Sequence, residues 1–465
     1  MPRVIRACRA FQVFLRGSCT NVGDAGRFTN FSVTGRLATL QAIESRLLRR
    51  NRFTHMSSLS HVLARWDRLT LTIVGLTILT FLVFPFGRSA NAPLAILALV
   101  GLWLLATRWR EVWAQPVTRW LLILVAALWI PQWFALPGAV NFERAWSDAI
   151  YYPLFGVAAL PVVWAALRHD VLPVILYSLL AIVFVWAVDG LWQFATGTNV
   201  LGYPYPRPRL SGLFGENLTM GVVIAHLLPL LLEATRRLIQ RCVAWGLVIL
   251  PILAVIMLSG SRSAMLLMLF GLVLYGALVL LFSRPRWYWI VGAIAVVFVG
   301  MAGTLALSPE TRDRVERVGK IFEMDRESFN QATSKRGDVW LSGWEVAKDD
   351  PWLGVGVRGY ELAAVERGYT DRPYMHLHFF ALDVQVSTGL VGLLAYLSAY
   401  FAFLVVLWRA GGNMAAGVGV VAVGLALLPI NTHFGFYASY TLAIIWPIIG
   451  LAAALVVSQS VGEKA

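Results

Sequence analysis

The chain has 465 residues, 58% hydrophobic and only 14% charged, whereas soluble domains carry roughly 45–50% apolar and about 25% charged residues. A lipid-facing surface can absorb that apolar excess, and the 19 tryptophans and 14 tyrosines fit interfacial belts. The net charge of +14 does not mark a nucleic-acid binder, because many basic residues sit in short loops between apolar runs, the pattern of a positive-inside bias. Cys8, Cys19 and Cys242 have no paired spacing, so neither a disulfide framework nor a zinc site is implied.

The segment before Met56 holds ten arginines, two acids and no lysine, without sustained periodicity. It reads as a basic cytoplasmic tail, with Met56 an alternative start; Phe11 to Leu15 is too short for a signal-peptide core. A bilayer core of about 30 Å requires roughly 20 apolar residues per span. Such runs predict helices over 69–86, 92–107, 118–136, 149–167, 172–195, 218–235, 241–259, 264–282, 287–307, 379–408, 414–432 and 440–458. The expected fold is all-α and polytopic, with about twelve membrane helices. Internal prolines (Pro131, Pro161, Pro229, Pro251, Pro447) are tolerable where neighbours satisfy the freed carbonyls.

Alternate loops differ in charge. Arg65, Arg68, Arg108, Arg110, Arg119, Arg168, Arg236, Arg237, Arg241, Arg284, Arg286 and Arg409 fall on one side; Arg88, Arg144, Arg207, Arg209 and Arg262 fall on the other. The arginine-rich side is expected to be cytoplasmic, which places both termini inside and the one long loop outside. The expected division is a tail over 1–64, helices over 65–307, an outward loop over 308–378, helices over 379–458 and a tail over 459–465. Within the loop, Ser308-Pro309-Glu310 reads as a helix start. A second helix is expected from Arg336 through Trp340, Trp344 and Ala347, ending before Asp349-Asp350-Pro351. The loop thus reads as a small helical lid.

Arg262 is the sharpest candidate for chemistry. It lies in Ser259-Gly-Ser-Arg-Ser263, a short outward hairpin that opens the next helix. Free backbone N–H groups and the helix dipole favour an anion there, and a guanidinium adds a bidentate phosphate donor. An interfacial arginine reaching for lipid headgroups would occupy the same position. His376 and His378, in Met375-His-Leu-His-Phe379, sit where the lid returns to the membrane, and histidine is the usual general base near neutral pH. Residues two apart on a helix do not share a face and no acid or cysteine adjoins them, so a metal site is not expected. Arg336, Arg207 and Arg209 are further cations on the outward side, although a solvated charge is the plainer reading of any one of them.

Asp189 and His226 are ionisable residues within spans, which are expensive and often functional; they are placed to pair with each other. Asp383, just inside the tenth helix, is placed to orient His378. Gly354-Val-Gly-Val-Arg-Gly359 matches a dinucleotide fingerprint in letters only, since that site needs a preceding strand and a βαβ unit; a tight turn is the better reading.

Two spaced patterns resemble the O-antigen ligase family, within the wider group of ligases and polymerases of lipid-linked polysaccharides. One is Arg-x-x-x-Leu, here Arg262 to Leu266; the other runs from His378 to Gly389 and Gly392. Gly212-Leu-Phe-Gly-Glu-Asn217 and Pro351-Trp-Leu-Gly-Val-Gly356 are similar to the family's loop motifs. Phe379 departs from the pattern by replacing a polar residue. The resemblance covers roughly 65–458 and implies a fold like that of C-type membrane glycosyltransferases. It also implies metal-independent transfer, without a cofactor, of a glycan from undecaprenyl diphosphate to lipid A–core, at the periplasmic face of a Gram-negative inner membrane. His378 would be the base and Arg262 and Arg336 the diphosphate ligands, with Arg207 or Arg209 in reserve. A polymerase extending the carrier-linked glycan, or a transporter, are the other readings.

Overall fold

The computed structural model describes residues 66–206, 209–239, 242–283 and 336–462, together with 302, 330 and 333. The basic tail, Arg207, the predicted span 287–307 and the helix start at Ser308 lie outside the described residues. Regular structure among the described residues is helical, apart from an isolated bridge between Thr198 and Pro204.

In chain order the helices are α1 (Arg68–Val83), α2 (Asn91–Ala114), α3 (Pro116–Ala135), α4 (Phe142–Val157), α5 (Leu160–Arg168), α6 (Leu172–Thr196) and α7 (Met220–Leu238). They continue with α8 (Cys242–Leu258), α9 (Arg262–Ser283), α10 (Arg336–Asp349), α11 (Tyr360–Glu366), α12 (Phe380–Gly411), α13 (Met414–Ala426) and α14 (Ser439–Gly462). Seven described segments are long and apolar enough to cross a membrane: Arg68–Ala114, Pro116–Gly138, Phe142–Arg168, Leu172–Thr196, Arg262–Ser283, Phe380–Gly411 and Ser439–Ser458. Trp245–Leu258 and Met414–Ala426 are shorter apolar helices. The chain is a polytopic membrane protein.

Local signals account for many helix ends. Asp67 caps α1 by accepting from Thr70 N at 2.6 Å, and Asn413 caps α13 through Ala416 N at 3.0 Å, each satisfying a donor that the helix cannot. Gly197 and Gly412 end α6 and α12 in the left-handed conformation. Three predicted runs are corrected. The run 69–86 ends at Val83, because Pro85 and Gly87 open a 3₁₀ turn over Phe84–Ala90. The run 149–167 is two helices that start earlier, with Pro161 in the first turn of the second. The run 414–432 ends at Ala426; Pro429 lacks an N–H to continue the ladder, and residues 427–438 form an irregular loop.

Helices α7 and α14 are the interior of the bundle: Met220 through Thr235 are all buried, as is almost all of Ser439–Ser458. The outer helices bury one face and expose large apolar side chains such as Leu99, Phe134, Val185, Val273 and Phe401. In water such a surface would be a liability; in lipid it is the expected exterior. Tryptophans gather at two levels. Trp109 and Trp113 stack at 4.9 Å at one end of α2, while Trp133 meets Trp146 at 5.5 Å where α3 turns into α4.

The described part of the long loop has its own core. Val339, Val346 and Ala347 of α10 pack with Val355, Tyr360, Ala363 and Ala364, and with Leu377, Leu382 and Val386 at the start of α12. The turn before α11 docks into a break in α12. Gly389 stands at φ +66 and ψ −167, a conformation open essentially to glycine, and a Cβ there would strike the Trp352 carbonyl. The freed donors are taken up by the turn: Leu390 N donates to Pro351 O at 2.7 Å and Val391 N to Trp352 O at 3.3 Å. In return Val355 N donates to Val386 O at 2.9 Å. The Gly354–Gly359 motif is the tight turn expected, with Gly354 and Gly356 at positive φ. Arg358, also at positive φ, holds it to the bundle through Asp148 at 2.9 Å and the Tyr437 carbonyl at 3.2 Å.

Candidate active site

Three helix or loop starts bring cations together. Gly260, at φ +64, makes the sharp turn between α8 and α9. Ser259 Oγ donates back to Ile256 O at 2.6 Å, and Ser261 Oγ accepts from Ala264 N at 3.3 Å. The half-buried Arg262 is therefore the first residue of a capped helix. Arg336 is likewise the first residue of α10 and half-buried. Arg209 lies in the loop between α6 and α7, exposed. Burial first, and then the charges of Arg209 and Arg262, pull the Arg336 guanidinium down to about 10. Arg336 thus feels both other cations, and an anion beside it would relieve that repulsion. The structure thus brings together three of the four predicted arginines, the fourth, Arg207, lying outside the described residues.

The loop carrying Arg209 is held to α6 by polar side chains buried near the end of that helix. Gln193 Oε1 accepts from Gly212 N at 2.7 Å and Ser211 N at 3.2 Å, and Asn199 Nδ2 donates to Gly212 O at 2.7 Å. Asp189 belongs to this framework, accepting from Val200 N at 3.0 Å. It does not pair with His226, and the expected couple is corrected. His226 instead donates from Nδ1 to Val222 O at 2.8 Å and accepts from Asn431 Nδ2 at 2.9 Å. Both ring nitrogens of His226 are thus taken up by a backbone carbonyl and an amide, and Asp189 Oδ1 by a backbone N–H.

His378 lies within the field of Arg336: burial first, and then that charge, lowers its pKa. Its Nδ1 lies 2.6 Å from the His433 carbonyl oxygen. A carbonyl only accepts, so Nδ1 carries the proton, which leaves Nε2 as the basic nitrogen. The residue sits at φ +51, a left-handed conformation uncommon for any side chain but glycine, though less so for histidine. Two contacts fix it there. Trp340 Nε1 donates to Leu377 O at 3.0 Å, and the Phe379 ring packs on Trp340 at 5.6 Å. Trp340 lies one turn along α10 from Arg336, so the aromatic clamp also sets the arginine relative to the imidazole. This is the use the chain makes of Phe379, where the resemblance led one to expect a polar group.

Asp383 does not orient His378, contrary to expectation. Its Oδ2 accepts from Phe436 N at 2.7 Å, and the orienting acceptor for His378 is the carbonyl of His433. His376 lies beside His378, rings 6.2 Å apart, and burial followed by the charges of Arg358 and His378 lowers it to about 4. The charge it feels is that of Arg358, not Arg336. Among the described residues no group of three or more His, Cys, Asp or Glu side chains is placed to hold a metal ion.

Sequence reading missed the loop over 427–438, whose first residues were assigned to a helix. Pro429 O and Asn431 O accept from Ala381 N at 3.0 Å and Phe380 N at 3.3 Å, supplying the acceptors that the first donors of α12 require. His433 N donates to Asn431 Oδ1 at 3.2 Å, and the His433 ring meets Ser263 Oγ at 3.1 Å and Ser261 Oγ at 3.4 Å. The available signal is the same as for His378, an imidazole at the end of an apolar run; the misplaced end of the eleventh predicted span hides it.

Comparison with curated proteins found no match. Residues 246–397, however, match the family model described as O-antigen ligase. The matched stretch contains Arg262, Arg336 and His378 but neither Arg209 nor His433, and the match is to the same family that the motifs resemble.

Proposed function

We propose that this protein is an inverting, metal-independent membrane glycosyltransferase of the C-type fold. It moves a polysaccharide from undecaprenyl diphosphate to lipid A–core, at the periplasmic face of a Gram-negative inner membrane, and so completes lipopolysaccharide. The family match supports a ligase- or polymerase-like activity on lipid-linked glycans. The observation that supports the finer reading is the hydrogen-bonded link from Ser261 and Ser263, which flank Arg262, through His433 to His378, within the field of Arg336. A diphosphate is a built-in leaving group, so its departure needs stabilised negative charge rather than activation. Arg262, Arg336 and Arg209 supply that stabilisation. His378 Nε2 takes the proton of the acceptor hydroxyl as the oxygen attacks the anomeric carbon. The bond to the diphosphate breaks with its electron pair going to phosphate oxygen, and attack from the opposite face inverts the centre. The long loop, taken as 308–378, is the catalytic loop on the periplasmic side, and the basic segment over 1–64 is a cytoplasmic tail.

The test is purified protein in detergent with carrier-linked glycan and lipid A–core. Glycan on lipid A–core is the expected product. Longer chains on the carrier would make the protein a polymerase, and no transfer to either acceptor would sink the enzymatic reading. A transporter would need ionisable groups within the spans free for its cargo, and Asp189 and His226 each have a local structural partner.

A further inference from the structure

The two family motifs lie more than a hundred residues apart, and one residue outside both touches each. The main-chain carbonyl of His433 accepts from His378 Nδ1 at 2.6 Å. Its ring nitrogen Nδ1 meets Ser263 Oγ at 3.1 Å and Ser261 Oγ at 3.4 Å, the two serines flanking Arg262, themselves 3.1 Å apart. Its own N–H is held by Asn431 Oδ1 at 3.2 Å, and Asn431 is anchored on His226 in the buried helix α7. Downstream, Phe436 N is held by Asp383 and Tyr437 O by Arg358. The carbonyl that orients His378 therefore stands on a turn pinned on several sides, and the His433 imidazole is the pin on the α9 side.

We propose that His433 is a positioning residue for transfer: through its carbonyl it sets the base His378, and through its ring it sets the serine turn from which Arg262 projects. The inference rests on the glycosyltransfer reading above. The choice of imidazole follows from the charges around it. The ring lies within the fields of Arg336 and Arg209, and burial with those charges keeps it well below the usual histidine range, hence neutral. A lysine here would add another cation. A carboxylate would neutralise the arginines and compete with the incoming diphosphate. An imidazole supplies a ring nitrogen to two hydroxyls without doing either.

Three substitutions separate these roles. Asparagine places an uncharged amide atom near the position of Nδ1, alanine removes it, and aspartate places a negative charge there. His433→Ala is expected to lower kcat by about 10–100-fold, the scale of a small misplacement of catalytic groups. It should also weaken undecaprenyl diphosphate binding to the purified protein. His433→Asn should recover most of both losses, with the wild-type pH profile. His433→Asp should raise KM for the donor while kcat stays near that of His433→Asn. Wild-type kcat and donor affinity in His433→Ala would overturn the inference. So would an asparagine variant as inactive as alanine, which would make the ring a proton carrier. If His433→Ala does not fold, the double variant Ser261→Ala/Ser263→Ala removes the same contact from the other side and must show the same loss of diphosphate binding. Failure of the wild-type protein to transfer glycan would instead sink the functional reading, leaving the diphosphate-binding comparison as the test of His433.

Discussion

At the last turns of α7 Glu233 is fully buried, and its carboxylate takes Arg236 at 2.7 and 2.8 Å and Arg237 at 2.7 Å. Arg168 similarly reaches Glu111 at 2.6 Å. At the starts of α9 and α10, by contrast, Arg262 and Arg336 are set where Arg336 feels other guanidinium groups, and its own is pulled down to about 10. The same residue type is tied to a fixed acid in one region, while in the other Arg336 lies within the fields of Arg209 and Arg262. A buried carboxylate with two guanidinium partners is a structural tie, and truncating a partner exposes the cost of desolvating what remains. Converging cations are the reverse, less stable alone than with an anion among them. The difference separates arginines that hold the bundle from those we propose as ligands of the diphosphate.

The largest expected effect lies on the imidazole facing the cations. His378→Ala should lower transfer by about 10²–10⁴-fold, the usual contribution of acid–base help, with the melting temperature unchanged; full activity would remove it from the mechanism. Arg336→Ala should lower kcat by about 10²–10³-fold, the scale of one lost charge-stabilising donor. Arg262→Lys should also be impaired, because an ammonium lacks the bidentate fork; wild-type activity would reduce Arg262 to a headgroup contact. The pH profile of kcat/KM sharpens the same contrast. His378 is lowered, so its base form persists below the ordinary histidine value of about 6.5. Activity should rise with pH through a midpoint under that value, and fall again toward about 10 as Arg336 loses its proton. The smallest effect on chemistry belongs to the other region. Arg236→Ala should destabilise the fold by about 1–3 kcal/mol, the cost of an under-satisfied buried acceptor, while transfer per folded molecule stays at the wild-type level. Thermal unfolding alongside the transfer assay reads both, and equal loss of activity in Arg236→Ala and Arg336→Ala would erase the distinction.

Much of the bundle was legible because a span is a local property. Roughly 20 apolar residues in a row mark a helix wherever they occur, and every predicted run other than 287–307, which lies outside the described residues, overlaps a helix. Helix ends were less legible where proline or glycine acts a few residues before the apolar run stops, as at Pro85, Gly87 and Pro429. Arg262 and Arg336 were visible as first residues of helices, and His378 through its spacing to Gly389. The reason for that spacing was not visible: Gly389 breaks α12 so that the Pro351–Trp352 carbonyls can enter.

What the sequence determined by itself was the solvent the chain is built for, the places where its helices run, and the residue types that can meet an anion. Tertiary structure alone decided the partners. His226 was drawn to Asn431 rather than Asp189, Asp383 to a backbone N–H rather than an imidazole, and His378 to the carbonyl of a residue 55 positions away. Helical periodicity constrains neighbours three and four residues apart. A hydrogen bond between distant loops leaves no periodic trace and exists only once the helices carrying those loops have packed.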